Sequence, residues 1–208
     1  FAFINKIPTS PNQALALALS GKSSPIDVGL LTDENGRQEY IDNSIGIGFN
    51  AVVTIRSHRL PVVRGFLMYL TAVIQTILLN FDPAYLKVET ESESWEMPTL
   101  MTVVCNGSRE GGGFYIAPDA QPDDGILNYT TVRKVSRLMM FRLLPEFLKG
   151  TQERFDEVKM GECKKLSLTS DKPLYIHIDG EVYTSFGSNL HSLSIEVVPD
   201  ALQVVRGK

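Results

Sequence analysis

Cysteine is nearly absent: the 208 residues hold two, Cys105 and Cys163, far apart and outside any C-x-x-C spacing. A disulfide framework and a cysteine-based zinc site therefore have no support, and a reducing, cytoplasmic setting fits better. An excess of one charge is also lacking. With 20 Lys and Arg against 24 Asp and Glu, and a formal net charge of −4, there is no basic stripe of the kind that phosphate-backbone binding needs, which argues against nucleic acid as a partner. The three histidines, His58, His177 and His191, show no metal-ligand spacing, and no G-x-S-x-G or Cys/His pairing points to acyl chemistry. No charged segment followed by an apolar core and a small-residue cleavage site opens the chain, whose first residue is Phe1, so it reads as a fragment or processed product.

Long apolar runs are scarce as well. Only Val62 to Leu79 raises a membrane question, and Arg64, Tyr69, Thr71, Gln75 and Thr76 interrupt it. After Arg64 the apolar part is shorter than the roughly 20 residues a span requires, which leaves a buried or interfacial helix. There is enough apolar residue, 43%, for one substantial core.

Pro11 to Ser20, opened by proline and closed by Gly21, carries the start and stop signals of a short connecting helix. From Ile26 the texture changes to β-prone runs: IDVGLL, a turn at Asp33 to Gly36, then QEYIDNSIGIGF, a hairpin signature. Pro61 to Asn80 carries a broad 3.6-type apolar stripe and is the longest predicted helix. Strands resume with AYLKVETE, EMPTLMTVVCNG, FYIA and GILNYTTV. A second helix, Val135 to Lys149, is expected to kink or restart at Pro145. The last third, FDEVKMGE, CKKLSLTS, PLYIHIDG, EVYTSF, HSLSIEVV and ALQVV, is a series of alternating segments with turns between them at sandwich-like spacing. The pattern predicts a mainly β chain, with 1–25 a connecting segment and 26–208 the domain proper.

Chemistry concentrates in three places. In Leu174 to Glu181, period-2 alternation sets Leu174, Ile176 and Ile178 on a core face and Tyr175, His177 and Asp179 on the other. Gly180 lets the backbone turn, so that Asp179 and Glu181 can project into a shared space, accept a hydroxyl proton and hold a phosphate-bound magnesium. The competing reading is a plain Asp-Gly hairpin turn with solvated acids. In Asn106 to Pro118, Gly111, Gly112 and Gly113 permit close backbone approach to an anion, with Arg109 as a charged donor, or form only a flexible tip. In Asp123-Asp124-Gly125, the Asp124 carboxylate with the carbonyls of Gln121 and Ile126 could cage a hard cation, or simply turn the chain. Gly46-Ile47-Gly48 lacks the third glycine and the βαβ setting of a dinucleotide site and reads as close strand packing.

Taken in order, Asp27-Val28-Gly29, Gly46 to Asn50, Cys105-Asn106-Gly107, Gly111 to Pro118, Asp123 to Leu127 and Ile178 to Glu181 resemble the C-terminal half of diacylglycerol kinase-like lipid kinases, a half shared with bacterial lipid kinases and sphingosine kinases. The resemblance covers nearly the whole chain from about Ile4. It implies a two-layer β-sandwich with helical insertions, following an N-terminal ATP-binding domain whose Gly-Gly-Asp-Gly-Thr loop is not in this sequence; Phe1-Ala2 looks like the tail of the stretch after it. It also implies that Asp179 and Glu181 are the catalytic base and active-site carboxylate, in an order left open, and that Gln121, Asp124 and Ile126 hold Mg2+, with Asp123 where some members carry Asn. The implied reaction is phosphoryl transfer from ATP to a lipid hydroxyl of diacylglycerol, phosphatidylglycerol or sphingoid type, with the isolated chain inactive without its partner domain. Transient contact with a membrane surface and a homodimer through a strand edge complete the expectations. The rivals are a non-catalytic lipid-binding module and an NAD kinase-like enzyme. The helix after Pro61 either lines the lipid pocket or only covers the sheet.

Overall fold

The computed structural model describes residues 1–60, 65–111 and 113–207. An exposed helix α1 (Pro11–Ser20) precedes β1 (Ser23–Asp33), β2 (Gln38–Ile41) and β3 (Ser44–Gly48). Two helices follow, α2 (Phe49–Ser57) and α3 (Phe66–Leu79), then β4 (Ala84–Thr90), β5 (Ser94–Cys105), the two-residue β6 (Arg109–Glu110) and β7 (Phe114–Tyr115), and β8 (Leu127–Arg133). Helix α4 (Arg137–Lys149) leads to β9 (Val158–Cys163), β10 (Lys165–Ser170), β11 (Ile176–Ile178), β12 (Glu181–Thr184) and β13 (Ser192–Val205).

Eleven strands make one antiparallel sheet, and β5 is where it folds over. The first half of β5 pairs with β4, from Ser94↔Glu89 to Thr99↔Ala84, while its second half pairs with β3 and β8. One layer therefore runs β12-β11-β3-β5-β8-β9 and the other β4-β10-β13-β1-β2, which is the expected two-layer sandwich made from one continuous sheet. Between the layers lie Leu31, Ile45, Val104, Tyr129, Leu166, Ile176 and Ile195, all nearly sealed from solvent.

A second core sits on the outer face of the first layer, where α2, α3 and α4 pack on β5 and β8 through Phe49, Val53, Val73, Met101, Leu143 and Phe147. This double burial explains the unbroken buried run Leu100 to Cys105, apolar except for Thr102: Val104 faces the inter-layer core while Met101, Val103 and Cys105 face the helices.

Several expectations need correction. HSLSIEVV and ALQVV are not two strands but one, β13, which runs beside β1 past a register shift near Ile26/Val28 and a left-handed Asp200. FYIA contributes only two strand residues, Phe114 and Tyr115, in a separate two-stranded ribbon. Helix α4 continues through Pro145 without restarting, from a Ser136 cap whose Oγ accepts from Met139 N at 3.1 Å to a left-handed Gly150. The predicted helix from Pro61 is present as α3, with 61–64 outside the described residues. Helix α2 had no counterpart in the sequence reading: Gly48, at φ +78°, caps it, and eight of its nine residues are buried. Gly46 and Gly48 do mark close packing. A Cβ on Gly46 would lie 2.2 Å from His177 Nε2, and one on Gly48 would lie 2.8 Å from the Leu100 carbonyl. Both cysteines are buried and free.

Candidate active site

Strands β11 and β12 meet in a two-residue turn. Ile178 pairs with Glu181 across Asp179 (φ +53°) and Gly180 (φ +88°), the paired positive angles of a type I′ hairpin, which Asp-Gly adopts readily. The plain-turn reading of the Asp-Gly-Glu segment is thus correct about its shape. The turn is also gripped from both sides. Asp179 Oδ2 accepts from Asp42 N at 2.9 Å, and its Oδ1 accepts from Asn43 N at 2.9 Å and Ser44 N at 2.8 Å. His58, beyond the end of α2, places Nε2 3.0 Å from the Gly180 carbonyl.

Asp179 is therefore the anchor of the 42–44 loop as well as a site candidate, whereas Glu181 is exposed and makes no side-chain hydrogen bond among the described residues. Asp179, Gly180 and Tyr69 line a polar mouth, and Glu181 is near enough to Tyr69 to add, after burial and Glu110, to the rise in its phenol pKa.

Asp42 reaches the same hairpin from the other side. Burial first, and then the facing Asp179 carboxylate, push the Asp42 carboxyl up to about 6 from an ordinary 3.8. The folded protein keeps this proton at pH values where the unfolded chain has lost it, so stability declines as pH rises from about 4 through about 6. Asn at position 42 mimics the protonated acid at every pH. Asp42→Asn is expected to stabilise by about 1 to 2 kcal/mol at pH 7.5, after discounting for partial solvation, and by almost nothing at pH 4. Urea midpoints at the two pH values check this, and an equal effect at both would refute the raised Asp42 pKa.

His177 lies on the second face of the alternation, and that face is covered. It is 2% exposed because α2 and the β6–β7 ribbon cover that side of the first layer. Burial pushes its imidazole pKa down, and among the described residues neither ring nitrogen has a hydrogen-bond partner, although Nε2 stands 3.4 Å from Glu110 Oε1. Glu110 went unnoticed in the sequence. Its Oε1 accepts from Ser44 Oγ at 2.5 Å and its Oε2 from Asn50 Nδ2 at 2.7 Å.

The glycines beside Glu110 are packing devices rather than an anion nest. A Cβ on Gly111 would lie 2.7 Å from the Tyr69 ring, and one on Gly113 would lie 2.9 Å from Phe66, so their absence lets α3 approach; Gly112 is outside the described residues. Arg109 does not face a ligand: its guanidinium sits between Phe3 and Tyr115, 3.9 and 3.8 Å from their ring centres.

Behind the mouth lies a narrow apolar cavity enclosed by Phe49, Val53, Val73, Phe114, Met140 and Phe147. Mouth and cavity share Tyr69, Glu110 and Gly111 as their common wall.

The Asp124 loop sits apart and is connected by relays rather than by direct contact. Asp27, 1% exposed, accepts from Gly125 N at 2.7 Å and Asp200 N at 2.9 Å. Asn106 Nδ2 donates to the carbonyls of both Asp27 and Asp42, which ties this loop to the Asp179 hairpin. Asp124 Oδ1 accepts from Ile126 N at 3.1 Å, an ordinary Asx turn. Burial, then the neighbouring Asp27 and Glu162, raise its carboxyl pKa. Among the described residues no three His, Cys, Asp or Glu side chains gather as a ligand set. A cation here would have one carboxylate and main-chain carbonyls, an oxygen-only donor set that suits a hard ion, and the acidic surroundings that raise the Asp124 carboxyl pKa would favour a cation beside it.

A folded-over antiparallel sheet carries three helices that line an apolar cavity beside an acid-bearing hairpin. Residues 43–206 match the family model described as the YegS C-terminal NAD kinase beta sandwich-like domain, and the chain belongs to that family. It is 28% identical over 202 residues to a diacylglycerol kinase of Mycobacterium tuberculosis (strain ATCC 25618 / H37Rv), covering 96% of this chain and 63% of the relative. It is 29% identical over 184 residues to a "Probable lipid kinase YegS-like" of Stenotrophomonas maltophilia (strain K279a), covering 87% and 59%. A solved structure of a diacylglycerol kinase from Bacillus anthracis str. Sterne superposes on the whole chain and 62% of its own with a TM-score of 0.69, at 16% identity, which supports the fold. The chain thus spans about three fifths of the length of the curated relatives it matches.

Proposed function

We propose that this chain is the acceptor-side domain of an ATP-dependent lipid kinase, joined through residues 1–25 to a nucleotide-binding domain. The observation that carries this is the polar mouth at the Asp-Gly-Glu hairpin opening onto an apolar cavity through the shared wall of Tyr69, Glu110 and Gly111. A lipid alcohol would place its hydroxyl at the acids and its chain among Phe49, Val73 and Phe147. Asp179, held by three N–H groups, orients the hydroxyl, and the free Glu181 carboxylate completes the pair that accepts its proton as the oxygen attacks the γ-phosphorus.

Gln121, Asp124 and Ile126 would hold the magnesium ion, which when bound offsets phosphate charge. Transient contact with a membrane surface is supported by α3 and α4, which expose Leu67 (63%), Leu79 (67%) and Leu138 (79%) while α3 lines the cavity with Tyr69 and Val73. No helix among the described residues is long and apolar enough to cross a membrane.

The test joins this chain to its nucleotide-binding domain and assays ATP- and magnesium-dependent phosphate transfer to diacylglycerol, phosphatidylglycerol, ceramide and sphingoid acceptors. Transfer to at least one of these is expected. Silence across the panel with the lipids still bound would favour a non-catalytic lipid-binding module.

A further inference from the structure

Glu110 and His177 form a polar pair that neither the hairpin chemistry nor an acyl pocket requires. The Glu110 side chain is 8% and the His177 side chain 3% exposed; both line the mouth, and Glu110 also lines the cavity behind it. A buried carboxyl group in such a position is costly unless its oxygens are satisfied. Ser44 and Asn50 supply one donor to each oxygen and hold the group in place, which leaves a second lone pair on each. Among the described residues the two His177 ring nitrogens make no hydrogen bond, at 2% exposure, with Nε2 3.4 Å from Glu110 Oε1. A buried polar group without a protein partner is a candidate for one supplied by a ligand.

The demand has a definite sign. Glu110 accepts from Ser44 and Asn50 and needs further donors, which an ester oxygen cannot be. A hydroxyl at this point would donate to Glu110 and accept from His177 at once, satisfying both. An amine or amide N–H would satisfy Glu110 alone.

We propose that Glu110, seconded by His177, selects acceptor lipids that carry a second hydrogen-bond donor, above all a hydroxyl, one or two carbons from the reacting hydroxyl. This rests on the lipid-acceptor reading above. Such lipids include monoacylglycerols and sphingoid bases, whereas the corresponding carbon of a diacylglycerol bears an ester.

The test uses this chain as it stands and a matched pair of probes in mixed micelles: 1-monooleoylglycerol and its 2-O-methyl ether, which lacks only the second donor. Their dissociation constants are measured for the wild-type chain and for Glu110→Gln, in which the amide keeps the size and offers a donor of its own. The wild-type chain is expected to bind the methyl ether at least about tenfold more weakly than the parent lipid, because a site built around a hydrogen bond rejects the analogue that cannot make it. In Glu110→Gln the preference is expected to shrink to within about twofold, through weaker binding of the parent lipid. Methyl-ether binding that stays constant between the two proteins shows the cavity to be intact. Equal binding of the two probes by the wild-type chain, or a preference that survives in Glu110→Gln, overturns the assignment while leaving a lipid pocket in place. Binding of neither probe overturns it together with the pocket itself.

Discussion

Phosphoryl transfer by the intact kinase is expected to fall by about two to four orders of magnitude on Glu181→Gln, with the fold unchanged, since general acid–base catalysis contributes on that scale. The reason lies in what Glu181 does not do. It is exposed at the first position of β12, pairs only through its backbone with Ile178, and makes no side-chain hydrogen bond that the amide would forfeit. A surface substitution of that kind moves stability by about half a kcal/mol at most. Turnover and urea denaturation measured on the same preparation separate the two effects. Near-normal turnover would leave the hairpin a structural turn and remove Glu181 from the mechanism.

Two residues earlier the balance reverses. Asp179→Ala is expected to lower stability by about 3 kcal/mol, because three backbone N–H groups of residues 42–44 lose a carboxylate acceptor, and because alanine is strained by about 1 kcal/mol in the left-handed region. The bonds are partly exposed, so water recovers some of the loss, and the full sum of three charge-assisted bonds is not reached. Asp179→Asn tolerates the positive φ and keeps one accepting oxygen, and should retain more than half of that stability. Denaturant midpoints for the two variants decide the matter. An unchanged midpoint in Asp179→Ala would show that the 42–44 loop holds its shape without the hairpin.

How much of this could be read in advance differs by residue. Asp33 to Gly36 and Asp179-Gly180 are local devices whose conformations depend on their own few residues, and they stood in the sequence. Helix α2 did not: Val52, Val53, Thr54 and Ile55 are β-branched and favour strand, and only burial against β3 and α3 makes them helical. The alternation around His177 gave the right two faces, but that the second face is covered depends on α2 and the β6–β7 ribbon, which lie far away in sequence. Glu110 and Asp42 left no pattern at all. Asp42 is a single acid in a loop and Glu110 a single acid in a two-residue strand, and each becomes notable only when Ser44, Asn50 or Asp179 is brought against it. The resemblance drew attention to Asp27 and Asn106 without saying what they do; in the fold they are a relay between the Asp124 loop and the 42–44 loop.

The pairing of β1 with β13 has a kinetic consequence. Ser23 lies opposite Val205 and Asp33 opposite Leu193, so the partners are roughly 160 to 180 residues apart, and nearly all of the domain lies inside the loop they close. During synthesis β1 emerges early and can form its short hairpin with β2, but its other edge waits until β13 has been made. Until then Val28, Leu30 and Leu31 form an open strand edge, a site where chaperone binding or misassociation of nascent chains would act first.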